Sequence, residues 1–186
     1  MRIISGFLKG KAINFLKNSN TRPLKDSVKE SIFNVLQHSN SINIKIDQAN
    51  ILDLYSGVGS FGLECISRGA KKVTFIEQDQ EATKVLKNNL IRLSLVNKAK
   101  IINDKIENAF KNIYQEKFNI LFLDPPFADK EFTKNLNLIK KNKIYEKKCI
   151  VVIHREKKTK DELDNIIKIV LTKQYGRSKI IFGVFD

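Results

Sequence analysis

The chain of 186 residues has no tryptophan, one methionine, two cysteines, two histidines and three prolines. Cys65 and Cys149 lie in separate apolar segments. Two isolated thiols exclude a disulfide framework and a cysteine-based metal site, so both read as reduced core residues. No apolar run approaches the roughly 18 residues a membrane helix needs, which predicts a protein without membrane association. The start, Met1-Arg-Ile-Ile-Ser-Gly6, lacks the apolar core and small-residue cleavage site of a signal peptide, so the expected location is the cytoplasm. Gly/Ser-rich and Pro-rich linkers are missing too, as is any internal repeat. The length suits one domain with a small appendage.

Acidic residues are also scarce. Twenty Asp plus Glu face thirty-four Lys plus Arg, leaving a formal charge of +14. A field of that sign favours a polyanion, and nucleic acid is the commonest one available. Abundant Lys, Asn and Ile point to an A/T-biased genome, which explains Lys over Arg but not the shortage of acids. Only Arg2, Arg22, Arg68, Arg92, Arg155 and Arg177 stand beside 28 lysines. A retained arginine is expected where the planar, bidentate fork is needed. Arg22, in Thr21-Arg-Pro23 just before a predicted helix, is the leading case.

The segment from Arg2 to Phe15 reads as two short β runs broken by Gly6 and Gly10, a hairpin. From Lys25 the spacing of Val28, Ile32, Phe33, Val35 and Leu36 predicts a helix with Asp26 or Ser27 as N-cap. A polar stretch over 40–50 suggests a boundary between an N-terminal extension (1–45) and a main domain (46–186). Strands are then predicted at 51–55, 72–76, 100–103, 118–123 and 148–154. Helices are predicted between them at 61–67, 80–93, 106–114 and 130–140, and again at 160–167. This alternation implies βαβ units and a doubly wound parallel sheet covered on both faces. Two closing β runs, 169–173 and 179–185, have too short a connection for a crossover and must pair antiparallel.

The first strand of the sheet runs into Asp53-Leu-Tyr-Ser-Gly-Val-Gly-Ser-Phe-Gly62. Glycines allow a tight turn and close approach to a ligand, and the next helix offers unpaired N–H groups. Gly57, Gly59 and Gly62 match a dinucleotide fingerprint, and Glu77 at the next strand end can accept ribose hydroxyls. Asp53 favours a different ligand. Its carboxylate repels a pyrophosphate but attracts a cationic amino-acid head group, as in S-adenosylmethionine. A turn-capping role for Asp53 is the alternative. At a third strand end Asp104 can take an adenine amino group, with the Lys105 or Ile106 N–H on the ring, or it can cap the following helix.

The fourth strand ends in Asp124-Pro125-Pro126-Phe127. A carboxylate and a proline-fixed carbonyl can accept both hydrogens of an exocyclic amine, and Phe127 offers a face for stacking. The motif suits a flat aminated ring and does not distinguish guanine from adenine. No Cys or Ser pairs with a His in a motif, so a covalent intermediate is not expected. His154, in an apolar run, reads as structural at the back of the sheet.

In the order of these motifs the chain resembles class I S-adenosylmethionine-dependent methyltransferases, and over nearly its full length it resembles the RsmD family. The matching stretches are Met1–Gly6, Thr21–Leu36, Asp53–Gly62, Leu63-Glu-Cys-Ile-Ser-Arg-Gly-Ala70, Phe75-Ile-Glu-Gln-Asp79 and Asp124–Phe127. The resemblance implies methylation of the 2-amino group of a guanine in 16S ribosomal RNA, free or in a small-subunit assembly particle. It also implies a seven-stranded Rossmann-like sheet with an N-terminal hairpin. Asp53, Tyr55, Ser56, Gly57, Gly59, Glu77, Gln78, Asp104 and Lys105 would line the S-adenosylmethionine site, and Asp124, Pro125, Pro126 and Phe127 would hold the target base. Departures from the family pattern fall at Leu24-Lys25 and Tyr55-Ser56. Lys9, Lys11, Lys17, Arg22 and Lys25 are the expected RNA-contact residues, no metal is expected, and the chain is expected to be a monomer. The rivals are an adenine 6-amino methyltransferase, a non-catalytic ribosome-assembly factor and an NAD oxidoreductase.

Overall fold

A computed structural model describes residues 1–16 and 24–185. The predicted Lys17 and Arg22 contacts lie outside the described residues. The order is α1 (Asp26–His38), β1 (Asn50–Leu54), α2 (Ser60–Ser67), β2 (Lys72–Ile76), α3 (Gln80–Arg92) and β3 (Ala99–Ile102). It continues with α4 (Ile106–Ala109), β4 (Phe118–Leu123), α5 (Phe132–Asn142), β5 (Tyr145–Glu156), β6 (Lys168–Tyr175) and β7 (Ser178–Val184). One seven-stranded sheet runs β3-β2-β1-β4-β5-β7-β6. The first five strands are parallel, and β7 is antiparallel to both β5 and β6. This is the doubly wound fold expected from the alternation of strands and helices.

Side-chain alternation along the strands divides the core into two layers. Ile51, Phe75, Ile120 and Phe122 face one way, packing with Ile32 and Phe33 of α1, Phe61 of α2 and Leu86 of α3. Leu52, Leu121 and Leu123 face the other way, with Ile106 of α4 and Leu136 and Ile139 of α5. Phe61 stacks between Phe33 and Phe122, at 5.1 and 4.0 Å between ring centroids. The switch point falls between β1 and β4, where the direction of strand addition reverses and a crevice opens at their carboxyl ends.

The N-terminal segment is tied down by side chains more than by a ladder. One isolated bridge, Arg2 to Ala12, and a Gly10 N–H bond to the Ile3 carbonyl at 2.8 Å join its halves, in place of a regular hairpin. The Glu64 carboxylate on α2, wholly buried, accepts from the N–H groups of Ile4 and Ser5 at 2.7 and 2.9 Å. It also takes the Arg68 Nε–H at 2.8 Å, with Lys29 Nζ 3.8 Å away. Lys29 is wholly buried as well and donates to the Arg2 carbonyl at 2.7 Å. Burial pulls its ammonium pKa down, against the opposing pull of Glu64 and Asp26. Gly6 has φ +79, and a Cβ there would meet the Ser67 carbonyl oxygen at 1.8 Å. Its lack of a side chain lets the segment lie directly on α2.

Several boundaries differ from the sequence reading. Helix α1 is capped by Lys25 without a side-chain bond, and Asp26 occupies its first turn, where it faces Lys29. The helix expected over 106–114 is one α turn followed by a 3₁₀ turn at Phe110–Asn112. The helix expected over 160–167 is absent. Asp161 is drawn onto Arg155 and Thr159, and Leu163, Ile166 and Ile167 fill the core layer of Leu52 and Leu121 from a turn. A segment that short forms a helix only if tertiary contacts favour it, and here they favour the turn. Strand β5 is longer than expected, and its extra residues Arg155 and Glu156 pair with β7.

Candidate functional site

The crevice at the carboxyl ends of β1, β2 and β4 is a cleft of about 1140 Å³. At the end of β1, Asp53 is 1% exposed. Its Oδ2 accepts the Gly62 N–H at 2.9 Å, whereas Oδ1 is buried without a hydrogen bond among the described residues. Burial raises its pKa well above the ordinary carboxylate value; the Gly62 bond pulls the other way, and the charges of Asp124 and Glu77 add smaller upward pushes. Asp53 thus both braces the start of α2 and presents an unsatisfied acceptor to the cleft. Ser56 Oγ and Asn135 Oδ1, also in the lining, are buried and unpartnered in the same way.

Between β1 and α2 the chain turns under strain. Tyr55 has φ +58, a left-handed conformation costing roughly 1 kcal/mol or more for a residue with a Cβ. Its hydroxyl oxygen accepts from Asn135 Nδ2 of α5 at 3.0 Å, bracing the strained turn. Gly59, at φ +86, has no room for a side chain, since a Cβ would meet Leu86 Cδ1 at 2.4 Å. It shapes the turn from behind and does not line the cleft, whereas Tyr55, Ser56 and Gly57 do.

Glu77, at the end of β2, accepts the Gly57 N–H at 2.7 Å through one oxygen and the Asp79 N–H at 2.8 Å through the other. Its carboxylate therefore fixes the glycine turn, and each oxygen keeps a lone pair for a hydroxyl donor. Gln78 is exposed beside it in the cleft wall. Asp104 accepts from the Lys105 N–H at 2.7 Å and from Asn108 Nδ2 at 3.0 Å. The Asn108 bond, and then the Lys105 N–H, hold its pKa below the usual value. Asp104 and Lys105 both border the cleft.

Across the cleft, β4 delivers Asp124, Pro125, Pro126 and Phe127 into the lining. Asp124 Oδ1 lies 2.8 Å from His154 Nδ1, and His154 Nε2 lies 2.9 Å from Ser178 Oγ. Phe127 meets the His154 ring edge-on at 5.8 Å. Arg155, 1% exposed, spreads its guanidinium over the turn after the motif. Nη1 donates to the Pro126 carbonyl at 3.0 Å, and Nη2 donates to the carbonyls of Phe127 and Asp129 at 3.1 Å. Asp161 balances the charge at 3.0 Å, and the Phe132 ring lies 4.6 Å from the guanidinium. The Pro125 carbonyl is left without a hydrogen bond among the described residues, so it can accept from a ligand.

His154 is a correction: it stands at the cleft, not at the back of the sheet. Adjacent residues on β5 point to opposite faces, so His154 reaches Asp124 while Arg155 reaches the loop behind it. The scarcity of arginine marks Arg155, but nothing in the local sequence names the partner of either residue, because the contacts are 30 and 26–29 positions away in the chain. Ser178 is equally hidden, at the edge of a short connection. Lys25 borders the cleft, but Lys9 and Lys11 stand exposed on the N-terminal turn away from it. Among the described residues no cluster of His, Cys, Asp and Glu suits a metal ion.

The acceptor-rich wall fits S-adenosylmethionine better than a dinucleotide. Asp53 Oδ1 and Ser56 Oγ are buried acceptors suited to an ammonium, and Asp53, next to the glycine turn, would repel a pyrophosphate.

The model of the family described as conserved hypothetical protein 95 matches residues 1–184. Ribosomal RNA small subunit methyltransferase D of Haemophilus influenzae is 35% identical over 159 residues, which is 84% of this chain and 79% of that protein. The protein of the same name from Buchnera aphidicola subsp. Baizongia pistaciae is 30% identical over 185 residues, 100% and 91% of the two chains. The solved structure of a hypothetical protein from Thermus thermophilus superposes with a TM-score of 0.79 at 22% identity, covering 100% of this chain and 99% of its own. At that identity the likeness is one of fold.

Proposed function

This chain belongs to the family described as conserved hypothetical protein 95, and from that premise we propose that it methylates the 2-amino group of a guanine in small-subunit ribosomal RNA. The observation that carries this is the placement of Asp124–Phe127 in one cleft with the unsatisfied acceptors of the glycine turn. The curated relatives' names give the RNA and the reaction class. S-adenosylmethionine, when bound, supplies an electrophilic methyl group. Asp53 and Ser56 would hold its amino-acid end, Glu77 its ribose and Asp104 with Lys105 its adenine.

The chain's own work is positioning and electrostatics, because the lone pair of an aromatic amine is delocalised and weakly nucleophilic. Asp124 Oδ2 and the Pro125 carbonyl accept the two amino hydrogens and favour a pyramidal nitrogen. The proline ring fixes where that carbonyl points, and the Arg155 fork keeps its neighbours turned away. Phe127, half-exposed, stacks on the extruded base, offsetting an unstacking cost of a few kcal/mol. Asp124 Oδ2 then takes the proton that the nitrogen sheds. The +14 charge supplies attraction to RNA, with Lys25 at the cleft and Lys9 and Lys11 on the N-terminal turn as phosphate contacts. No helix among the described residues is long and apolar enough to cross a membrane, and we assign the protein to the cytoplasm as a monomer.

The test is nucleoside mass spectrometry of small-subunit RNA, or of assembly particles, after incubation with the protein and S-adenosylmethionine. New 2-methylguanine is expected. New 6-methyladenine would transfer the assignment to adenine, and binding without either product would leave an assembly factor. Asp124→Ala should abolish product while cofactor affinity stays within about tenfold, or about 1.4 kcal/mol, because Asp124 accepts from the base and not from the cofactor.

A further inference from the structure

The geometry assigns His154 to the reaction as a positioning residue: with Ser178 behind it, its ring ties back one oxygen of Asp124 so that the other faces the amine. The inference rests on the methyl-transfer reading for its consequence, not for its geometry. Three observations carry it. His154 Nδ1 is 2.8 Å from Asp124 Oδ1, and Nε2 is 2.9 Å from Ser178 Oγ. Asp124 Oδ2 makes no hydrogen bond among the described residues, and the residue belongs to the cleft lining. The edge-on contact with Phe127 locks the same ring against the stacking residue.

The hydrogen-bond chemistry fixes the tautomer. A carboxylate can only accept, whereas a hydroxyl can donate or accept. The neutral ring therefore carries its proton on Nδ1 and donates it to Asp124, while the Ser178 hydroxyl donates to Nε2. Without that tether the carboxylate can rotate about its last bond and present either oxygen or neither. A misplacement of about 1 Å in such a group can cost roughly 100-fold in rate. His154 is held in turn by its register: it pairs with Ile180 on β7, and Ser178 pairs with Glu156 one pleat further along. The antiparallel β5–β7 pair thus reaches into a site built by parallel strands.

The tautomer can be read without activity. The chain has two histidines, His38 and His154, so imidazole nitrogen resonances of the full-length protein are assigned by comparison with His38→Gln. His154 is expected to be protonated at Nδ1 when the ring is neutral; a bare Nδ1 would overturn the inference. The activity arm compares two side chains of different reach. An Asn amide nitrogen falls where Nδ1 was, and a Gln amide nitrogen falls where Nε2 was. His154→Asn should keep kcat within about fivefold, the worth of one neutral hydrogen bond. His154→Gln, closer in volume, should lose roughly 100-fold in kcat, with the Kd of S-adenosylmethionine unchanged and a Tm within a few degrees of that of the Asn variant. Equal activity in both, or more in the Gln variant, would reduce His154 to packing. A wild-type chain that yields no methylated guanine would sink the functional reading alone, and the nitrogen resonances would still decide whether His154 holds Asp124.

Discussion

At Asp53 a single buried carboxylate is held at the expense of stability, at the place where we propose that the cofactor's amino-acid end binds. Burial raises its pKa well above the unfolded value, so the folded chain holds this proton more tightly than the unfolded chain does. Stability therefore falls as pH rises from the ordinary carboxylate range to the raised folded value. Asp53→Asn can keep the Gly62 bond through its amide oxygen and removes the buried charge. The variant is expected to melt at least about 2 °C above the wild type at neutral pH, as 1 kcal/mol would give in a chain of this size. That advantage should shrink as the pH is lowered through the same window. Binding of S-adenosylmethionine, measured by calorimetry, should weaken by about tenfold or more, because a cationic head group loses its counter-charge. A variant neither stabilised nor weaker in binding would remove Asp53 from both roles.

Two elements are joined to the site by arginines and one buried glutamate. Retained arginines are expected where a planar fork is needed, with Arg22 first among them. Arg22 lies outside the described residues, but Arg68 and Arg155 use the fork on their own chain. Arg68 links Glu64 to Gln37 and lies 4.3 Å from the Phe33 ring, and Arg92 donates to the Ala12 carbonyl. Arg155 holds the loop between β4 and α5. Removing its charge leaves Asp161 with the Thr159 hydroxyl at 3.0 Å and Lys179 at 3.6 Å as its partners. Arg155→Met should cost about 3 kcal/mol, the lower range for breaking a buried pair. Arg155→Met/Asp161→Asn should recover part of that stability, and a thermal double-mutant cycle checks the coupling. Glu64→Ala makes the corresponding case for α2. It strips two backbone donors and two cations of their partner, so amide exchange at residues 4 and 5 should rise sharply while β1 and β4 stay protected. Unchanged exchange there would mean that packing alone holds the N-terminal segment.

The whole molecule presents its charge where the fold leaves it. Lys9 and Lys11 are exposed on the N-terminal turn, which Glu64, Ser67 and Asn89 anchor to the same body that carries the cleft. Charge reversal of both lysines should flatten the dependence of log affinity for RNA on log salt by about 0.7 for each phosphate no longer neutralised. An unaltered slope would place the RNA elsewhere, for instance along the exposed tip of the β6–β7 pair, whose Tyr175 and Arg177 border the cleft. At this scale the alternating pattern of apolar runs is enough to predict the doubly wound sheet and its antiparallel edge. It fails at 160–167, where a helical spacing of apolar residues is overruled by the demand of a buried guanidinium for Asp161.

Residues whose work is local were therefore legible in the sequence. The glycine turn, Glu77 after it and Asp124–Phe127 each follow a strand directly, and strand ends in a parallel sheet converge on one edge by topology alone. Family resemblance then supplied the guanine of the proposed reaction, which no carboxylate can specify by itself. Long-range side-chain contacts were decided by the tertiary structure: His154 on Asp124, Arg155 on three carbonyls, Lys29 and Glu64 under the N-terminal segment. Their partners lie 26 to 60 positions away in the chain, and periodicity carries no information on which buried polar group meets which. That choice follows from strand register, since a shift of one residue along β5 would exchange the faces to which His154 and Arg155 point.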